Sequence, residues 1–222
     1  MIPYIGPLVV MASNALSSPL LRSVASAPGK LILFGEHAVV HDRPAVAVAT
    51  SLRTTADLEQ LQDPDVVLSF PDLDAQTFTV PLLVLQPCFS HAVSAPAPCS
   101  PELLELLHSI FARHASQQHS ASAAFAAAVV PALYLLVSIV VVAPGGSHRG
   151  LRLSIRSDLP VGAGLGSSAA FSVSVAAAAL ELSAMAAAAS PCPSPAPHIE
   201  RALVNDWAMQ ARSPSCCRVM KQ

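Results

Sequence analysis

Asp158-Leu159-Pro160-Val161-Gly162-Ala163-Gly164-Leu165-Gly166-Ser167-Ser168-Ala169-Ala170 stands between a strand pattern and a helical run, and its reading decides the fold. Before it, Leu151, Leu153 and Ile155 alternate with Arg152, Ser154 and Arg156, as in an antiparallel strand with one wet face. After it, small and apolar residues continue to about residue 189 in a helical pattern. Three glycines and two serines thus fall at a strand-to-helix junction. Glycines let a backbone approach an anion closely, and the free N–H groups of a helix N-terminus favour negative charge. Ser167 and Ser168 add hydroxyls that can donate to a phosphate or ligate a metal. The same residues also suit a tight turn with serine capping. A Walker A loop is excluded, because no lysine precedes the serines. A dinucleotide frame exists at Gly164, Gly166 and Ala169, but Glu181 lies too near for the acidic residue about 20 positions on that this motif requires.

Upstream of residue 151, residues 121–143 carry no charge and are long enough to cross a bilayer. Pro131, Ser122, Ser138 and the alanines favour a buried core helix instead. Residues 102–115 read as an amphipathic helix with Leu103, Leu107, Ile110 and Phe111 on one face, followed by a polar break at 116–120. Strand patterns are expected at 24–26, 31–34, 45–49 and 66–70, and a loop rich in Pro, Ser and Ala at 86–101. Downstream, the Pro-rich stretch 190–197 reads as a linker, and 198–211 as a last helix with Ala202, Leu203 and Trp207 on its apolar side.

Composition narrows the function classes. Charged residues make up 12% of the 222, and 12 Lys+Arg against 14 Asp+Glu leave no basic block for a nucleic-acid surface. Mean hydropathy is +0.54, much of it from alanine. Five irregularly spaced cysteines make neither a disulfide framework nor a CxxC metal site, which fits a reducing setting. His37 and His41 stand four apart without the intervening glutamate of HExxH. Residues 1–23 lack the basic start of a signal peptide and are read as a flexible extension, with Met11 as an alternative start.

Pro160, Gly164-Leu165-Gly166-Ser167-Ser168-Ala169-Ala170 and the earlier Ala27-Pro28-Gly29-Lys30-Leu31-Ile32-Leu33-Phe34-Gly35-Glu36-His37-Ala38-Val39-Val40-His41 together resemble the GHMP kinases. Gly35-Glu36-His37 followed by Ala-Val-Val-His is similar to mevalonate kinases, whereas galactokinases carry Thr-Asp-Tyr there. The resemblance covers about residues 24–59 and 121–210. It implies an α+β fold of the ribosomal protein S5 domain 2-like type, a mostly antiparallel sheet with helices on one face, occupying 24–211. It also implies ATP-dependent phosphorylation of (R)-mevalonate to 5-phosphomevalonate, in isoprenoid and sterol precursor synthesis in the cytoplasm.

By the same resemblance, Lys30 offsets phosphate charge in the transition state, and Lys30, Glu36 and His37 serve the acceptor side. Gly162, Ala163, Gly164, Leu165, Gly166, Ser167 and Ser168 wrap the ATP phosphates, Ser157 and Asp72 contact the nucleotide, and Ser168 ligates Mg2+. Mevalonate kinases tend to have asparagine where Asp72 stands. Implied partners are ATP and mevalonate, with no nucleic acid or membrane, and a homodimer is allowed for the intact family member. After Trp207 the pattern breaks. The family's Gly-Glu-Arg step, with its second Mg2+ ligand, and the Pro-Ser-Gly-x-Asp segment of the general base are replaced by Ala211-Arg212-Ser213-Pro214-Ser215-Cys216-Cys217. Residues 212–222 are therefore read as an unstructured divergent tail, the C-terminal GHMP domain as absent, and apolar surface as left exposed. The alternatives are a non-catalytic product with weak nucleotide binding and another small-molecule kinase of the superfamily.

Overall fold

The computed structural model describes residues 20–38, 41–115, 123–141, 149–160, 162–189 and 199–212. Strands β1 (Arg22–Phe34), β2 (Val46–Gln60), β3 (Asp65–Phe70), β4 (Gln76–Pro81) and β5 (Leu151–Ser157) form one sheet in the order β1-β2-β5-β3-β4. The β1–β2, β2–β5 and β3–β4 pairs are antiparallel, and only β3 and β5 run parallel. The helices are α1 (Gln86–Phe89), α2 (Pro101–Ala115), α3 (Ala123–Leu136), α4 (Ser167–Ala188) and α5 (Arg201–Ala211), with a π-helical turn at Val137–Val141 continuing α3. This is the expected α+β architecture of a mostly antiparallel sheet with helices on one face.

The period of two in the strands produces that one-sidedness. Ala56 and Leu58 on β2, Val66, Leu68 and Phe70 on β3, Phe78 and Val80 on β4, and Leu151, Leu153 and Ile155 on β5 are all buried beneath the helices. The intervening residues face water, where Arg22 pairs with Asp57 at 2.5 Å and Arg152 with Glu59 at 2.7 Å. The Arg22 guanidinium holds the Asp57 carboxyl below its ordinary range. Phe78 stacks on Phe111 of α2, and Phe70 meets Phe125 of α3 edge-on.

The apolar segment read as a core helix does lie in the core. Residues 124–141 are long and apolar enough to cross a membrane, and 78% of that span is buried inside the fold. Helix α4 also meets that criterion, with 44% of its span buried. The fully buried Tyr134 donates its hydroxyl to the Ala97 carbonyl at 2.7 Å, tying α3 to the loop before α2.

Several boundaries differ from the expectations. The two short strands expected at 24–26 and 31–34 are one, starting at Arg22, so the N-terminal extension ends earlier than residue 23. The segment expected at 45–49 is the start of a 15-residue strand, and β4 was not expected. Residues 86–101 are not wholly a loop. A 3-10 turn at Leu82–Leu85 runs into α1, where Pro87 presets the first helical turn and Leu85 and Cys88 are buried. The last helix starts at Arg201 rather than 198. The linker 190–197 and residues 213–222 lie outside the described residues, as do Cys192, Cys216 and Cys217. Cys88 and Cys99 are buried and not joined in a disulfide, and burial pushes the Cys88 thiol up to about 11.

Beyond the stretch where β5 pairs with it, β2 pairs with β1 alone. The outer end of this two-stranded ribbon exposes Leu31, Leu33, Phe34, Val46 and Val48, with Phe34 74% exposed. Leu153, fully buried at the sheet centre, should behave differently from Leu83, which is 70% exposed. Leu153→Ala is expected to lower the unfolding free energy by about 2–5 kcal/mol, and Leu83→Ala by about 0.5 kcal/mol or less. Urea titration of both variants checks this, and equal losses would contradict the packing.

Candidate functional site

The junction between β5 and α4 is a loop, with the N-terminus of α4 at Ser167. Gly162, Gly164 and Gly166 have φ of +78°, +71° and +75°, a left-handed region that L side chains rarely adopt. None of the three lies inside a helix. A Cβ added at Gly162 or Gly164 would meet nothing within 4 Å, so the backbone there borders open space. Gly166 caps α4 without a side-chain hydrogen bond, and its carbonyl accepts from the N–H groups of Ala169 and Ala170 at 2.9 and 3.0 Å. The N–H groups of Ser167 and Ser168, in the first turn, have no carbonyl one turn back. Such a terminus attracts anions.

The loop is docked onto β1. The Lys30 N–H donates to the Leu165 carbonyl at 2.8 Å. A Cβ at Gly29 would lie 2.4 Å from Leu159 Cδ2, 2.9 Å from Thr50 Oγ1 and 3.0 Å from the Leu165 oxygen, so a larger residue there would push these neighbours aside. A Cβ at Gly166 would lie 2.8 Å from Lys30 Cγ and 3.4 Å from Cε. The lysine stem therefore crosses Gly166 at the start of α4, and its charge is held beside the phosphate-type loop.

At the junction a cavity of about 350 Å³ opens. Ser167, Ser168 and Pro160 line it, together with Ser157, Asp72 and Thr54. Ala124, Ala127 and Ala128 of α3, with Phe70, Leu73 and Phe171, supply apolar surface. Asp72 sits in the β3–β4 turn, which closes through left-handed Asp74 and Ala75. Its Oδ2 accepts from the Ser157 N–H at 2.7 Å, so the turn is tied to the end of β5. Ser157 Oγ lies 2.8 Å from Thr54 Oγ1 and accepts from the Leu159 N–H at 3.3 Å. Ser157 thus orients the chain as it enters the loop.

Of the residues expected from the sequence, Asp72, Ser157, Ser167 and Ser168 line one cavity, and Lys30 is joined to Leu165 and Gly166 beside it. Glu36 and His37 are not brought there. They occupy an exposed turn at the outer end of the β1–β2 ribbon and do not line the cavity. Thr54, Leu159, Phe171 and the α3 alanines were not foreseen. Thr54 had a faint signal, a hydroxyl on the core-facing side of a strand. Among the described residues, no cluster of three or more His, Cys, Asp or Glu side chains could hold a metal ion. Oxygen donors are present instead on Ser167, Ser168, Ser157 and Asp72.

Residues 135–190, which include β5, the glycine loop and α4, match the family model for the GHMP kinases N terminal domain. The mevalonate kinase of Candida albicans is 32% identical over 154 residues, covering 65% of this chain and 33% of the relative. That of Schizosaccharomyces pombe is 35% identical over 143 residues, covering 64% and 33%. The human mevalonate kinase is 35% identical over 144 residues, covering 64% and 35%. The chain thus spans about a third of the length of these relatives. A solved mevalonate kinase superposes with a TM-score of 0.43 at 21% identity, covering 74% of this chain and 46% of that one.

Gly166→Ala meets both a left-handed φ and the Lys30 stem, whereas Gly162→Ala meets the φ alone. Each is expected to cost about 1–3 kcal/mol for the backbone, with Gly166→Ala the larger loss in urea titration. Equal losses would show that Lys30 does not lie across Gly166.

Proposed function

We propose that this chain, a GHMP kinase N-terminal domain related to the mevalonate kinases, supplies the ATP site for transfer of the γ-phosphoryl group to the C5 hydroxyl of (R)-mevalonate. The carrying observation is the docking of Lys30 across Gly166 at the first turn of α4, beside a cavity of nucleotide-compatible size. The open edges of Gly162 and Gly164 admit polyphosphate oxygens to backbone distance. The N–H groups of Ser167 and Ser168 supply donors, and the Lys30 ammonium offsets charge as the phosphoryl group moves. Phosphoryl transfer rests mainly on such positioning and electrostatic stabilisation.

Mg2+ fits this donor set, because it prefers oxygen ligands and retains several waters. The Ser168 hydroxyl would hold it together with phosphate oxygens, and Asp72, whose Oδ2 is engaged by the Ser157 N–H, is the carboxylate lining the same cavity. When bound, the ion neutralises charge on the β- and γ-phosphates. Ser157 and Asp72 shape the nucleotide end through their mutual hydrogen bond and the link to Thr54. Glu36 and His37, a few residues beyond Lys30 on the same ribbon, belong to the acceptor side in this reading. Among the described residues none is assigned as the base for the acceptor hydroxyl.

Calorimetric titration of the 222-residue chain with ATP and Mg2+ tests the reading. Binding is expected, weakened by about 10-fold or more in Ser168→Ala and in Lys30→Met, since a hydrogen bond to a charged group contributes about 1.5–3 kcal/mol. No binding by the wild-type chain, or unchanged affinity in both variants, would overturn it.

A further inference from the structure

The pairing of β1 with β2 breaks where the ribbon leaves the sheet. Pro28 stands opposite Arg53 but Lys30 opposite Ala49, so Thr50, Ser51 and Leu52 bulge out of β2 beside Gly29. Beyond the bulge, Lys30 and Ile32 pair with Ala49 and Ala47, while Leu31 pairs with Val48 and Phe34 with Val46. A side-chain period of two sorts these pairs onto opposite faces. Lys30 faces α4, where its stem crosses Gly166. Leu31, Phe34, Val46 and Val48 share the face turned away from α4, and all four are exposed.

Among the described residues nothing covers that face. None of residues 30–38 and 41–53 is buried, although a two-stranded ribbon that packs on nothing is marginal in water. The two stretches, nine and thirteen residues long, approach the roughly 20–30 residues that a specific interface takes from each partner. Charge is uneven along the ribbon. Its tip carries two acids, Glu36 and Asp42, against one base, Arg43. At its foot, on the wet face of the sheet, stand Arg53 and Arg156, the latter opposite Thr55. Arg53 donates to Ser26, and neither arginine joins the ion pairs that occupy Arg22 and Arg152. Two ribbons laid antiparallel, apolar face on apolar face, would set the acidic tip of each over the basic foot of the other. A parallel arrangement would oppose like charges.

We propose that this face docks a second copy of the chain, the two ribbons packing antiparallel about a two-fold axis. Such a contact uses the same patch on both copies and closes at the dimer. It is independent of the nucleotide reading, because Lys30 and the glycine loop lie on the opposite face.

Sedimentation velocity of the 222-residue chain over about 1–100 µM tests the proposal, and a dimer with a Kd in the micromolar range or tighter is expected. Phe34→Asp should leave the chain monomeric, whereas Leu83→Asp, similarly exposed but on the 3-10 turn, should leave the dimer intact. Asp42→Lys, and Arg53→Glu combined with Arg156→Glu, should each weaken the dimer about tenfold or more through like-charge repulsion. An equimolar mixture of these two variants should restore it, since both tip-to-foot contacts then join opposite charges. Arg156→Glu alone serves in the mixture if the combined variant does not fold. A wild-type chain that stays monomeric, or that grows past the dimer into open-ended aggregates, overturns the proposal. So does a dimer that survives Phe34→Asp, or a mixture that associates no more tightly than its components.

Discussion

The Lys30 N–H donates to the Leu165 carbonyl across 2.8 Å, and the remaining features of the site depend on where that bond places the glycine loop. β1 is an edge strand, so its outer backbone groups are free to bind a segment other than a strand. The loop occupies that edge at one point, and two glycines make the approach feasible. Gly29 leaves room for Leu159 and the Leu165 oxygen, and Gly166 leaves room for the Lys30 stem. The same contact brings a cation to the first turn of α4, where the helix dipole already favours an anion. Two positive influences on one small volume, with an open glycine backbone between them, are what the proposed phosphate site rests on.

The second constraint is the tie between the β3–β4 turn and the end of β5. Asp72 fixes the Ser157 N–H, and Ser157 in turn meets Thr54 and the Leu159 N–H. This polar chain runs along one side of the cavity while α3 and Phe171 present apolar surface. The packing of α3 therefore has a functional consequence. Its Tyr134 and the buried residues that follow hold the helix against the core, and that position sets its alanines beside the cavity.

The features legible in the sequence were those with a sharp physical signature. β5 was visible because Leu151, Leu153 and Ile155 alternate with charged or polar residues on an exposed face. The glycine-serine loop was visible because three closely spaced glycines and a following helix leave few other structures. The second half of β2 was not, since Thr54 and Gln60 take core-facing positions between which only Ala56 and Leu58 are apolar. β4 carries only Phe78 and Val80 inward, too few to distinguish a strand from a loop. α1 hid in a Pro-rich stretch because Pro87 at a first helical turn favours the helix it would break further in. At the site, the junction residues, Asp72 and Ser157 were each singled out from the sequence, but the hydrogen bond between the last two was not. The contacts of Gly29, Thr54 and Ala127 depend on chain segments far apart in sequence, which periodicity cannot reveal.

In the proposed reading the loop docked on Lys30 receives the polyphosphate. Amide NMR of the uniformly labelled chain, titrated with ATP and Mg2+, tests it most directly. The largest shifts are expected on the amides of Lys30, Gly162, Gly164, Gly166, Ser167 and Ser168, saturating together. Shifts confined to the outer β1–β2 ribbon or to the wet face of the sheet, with the loop amides unmoved, would contradict it.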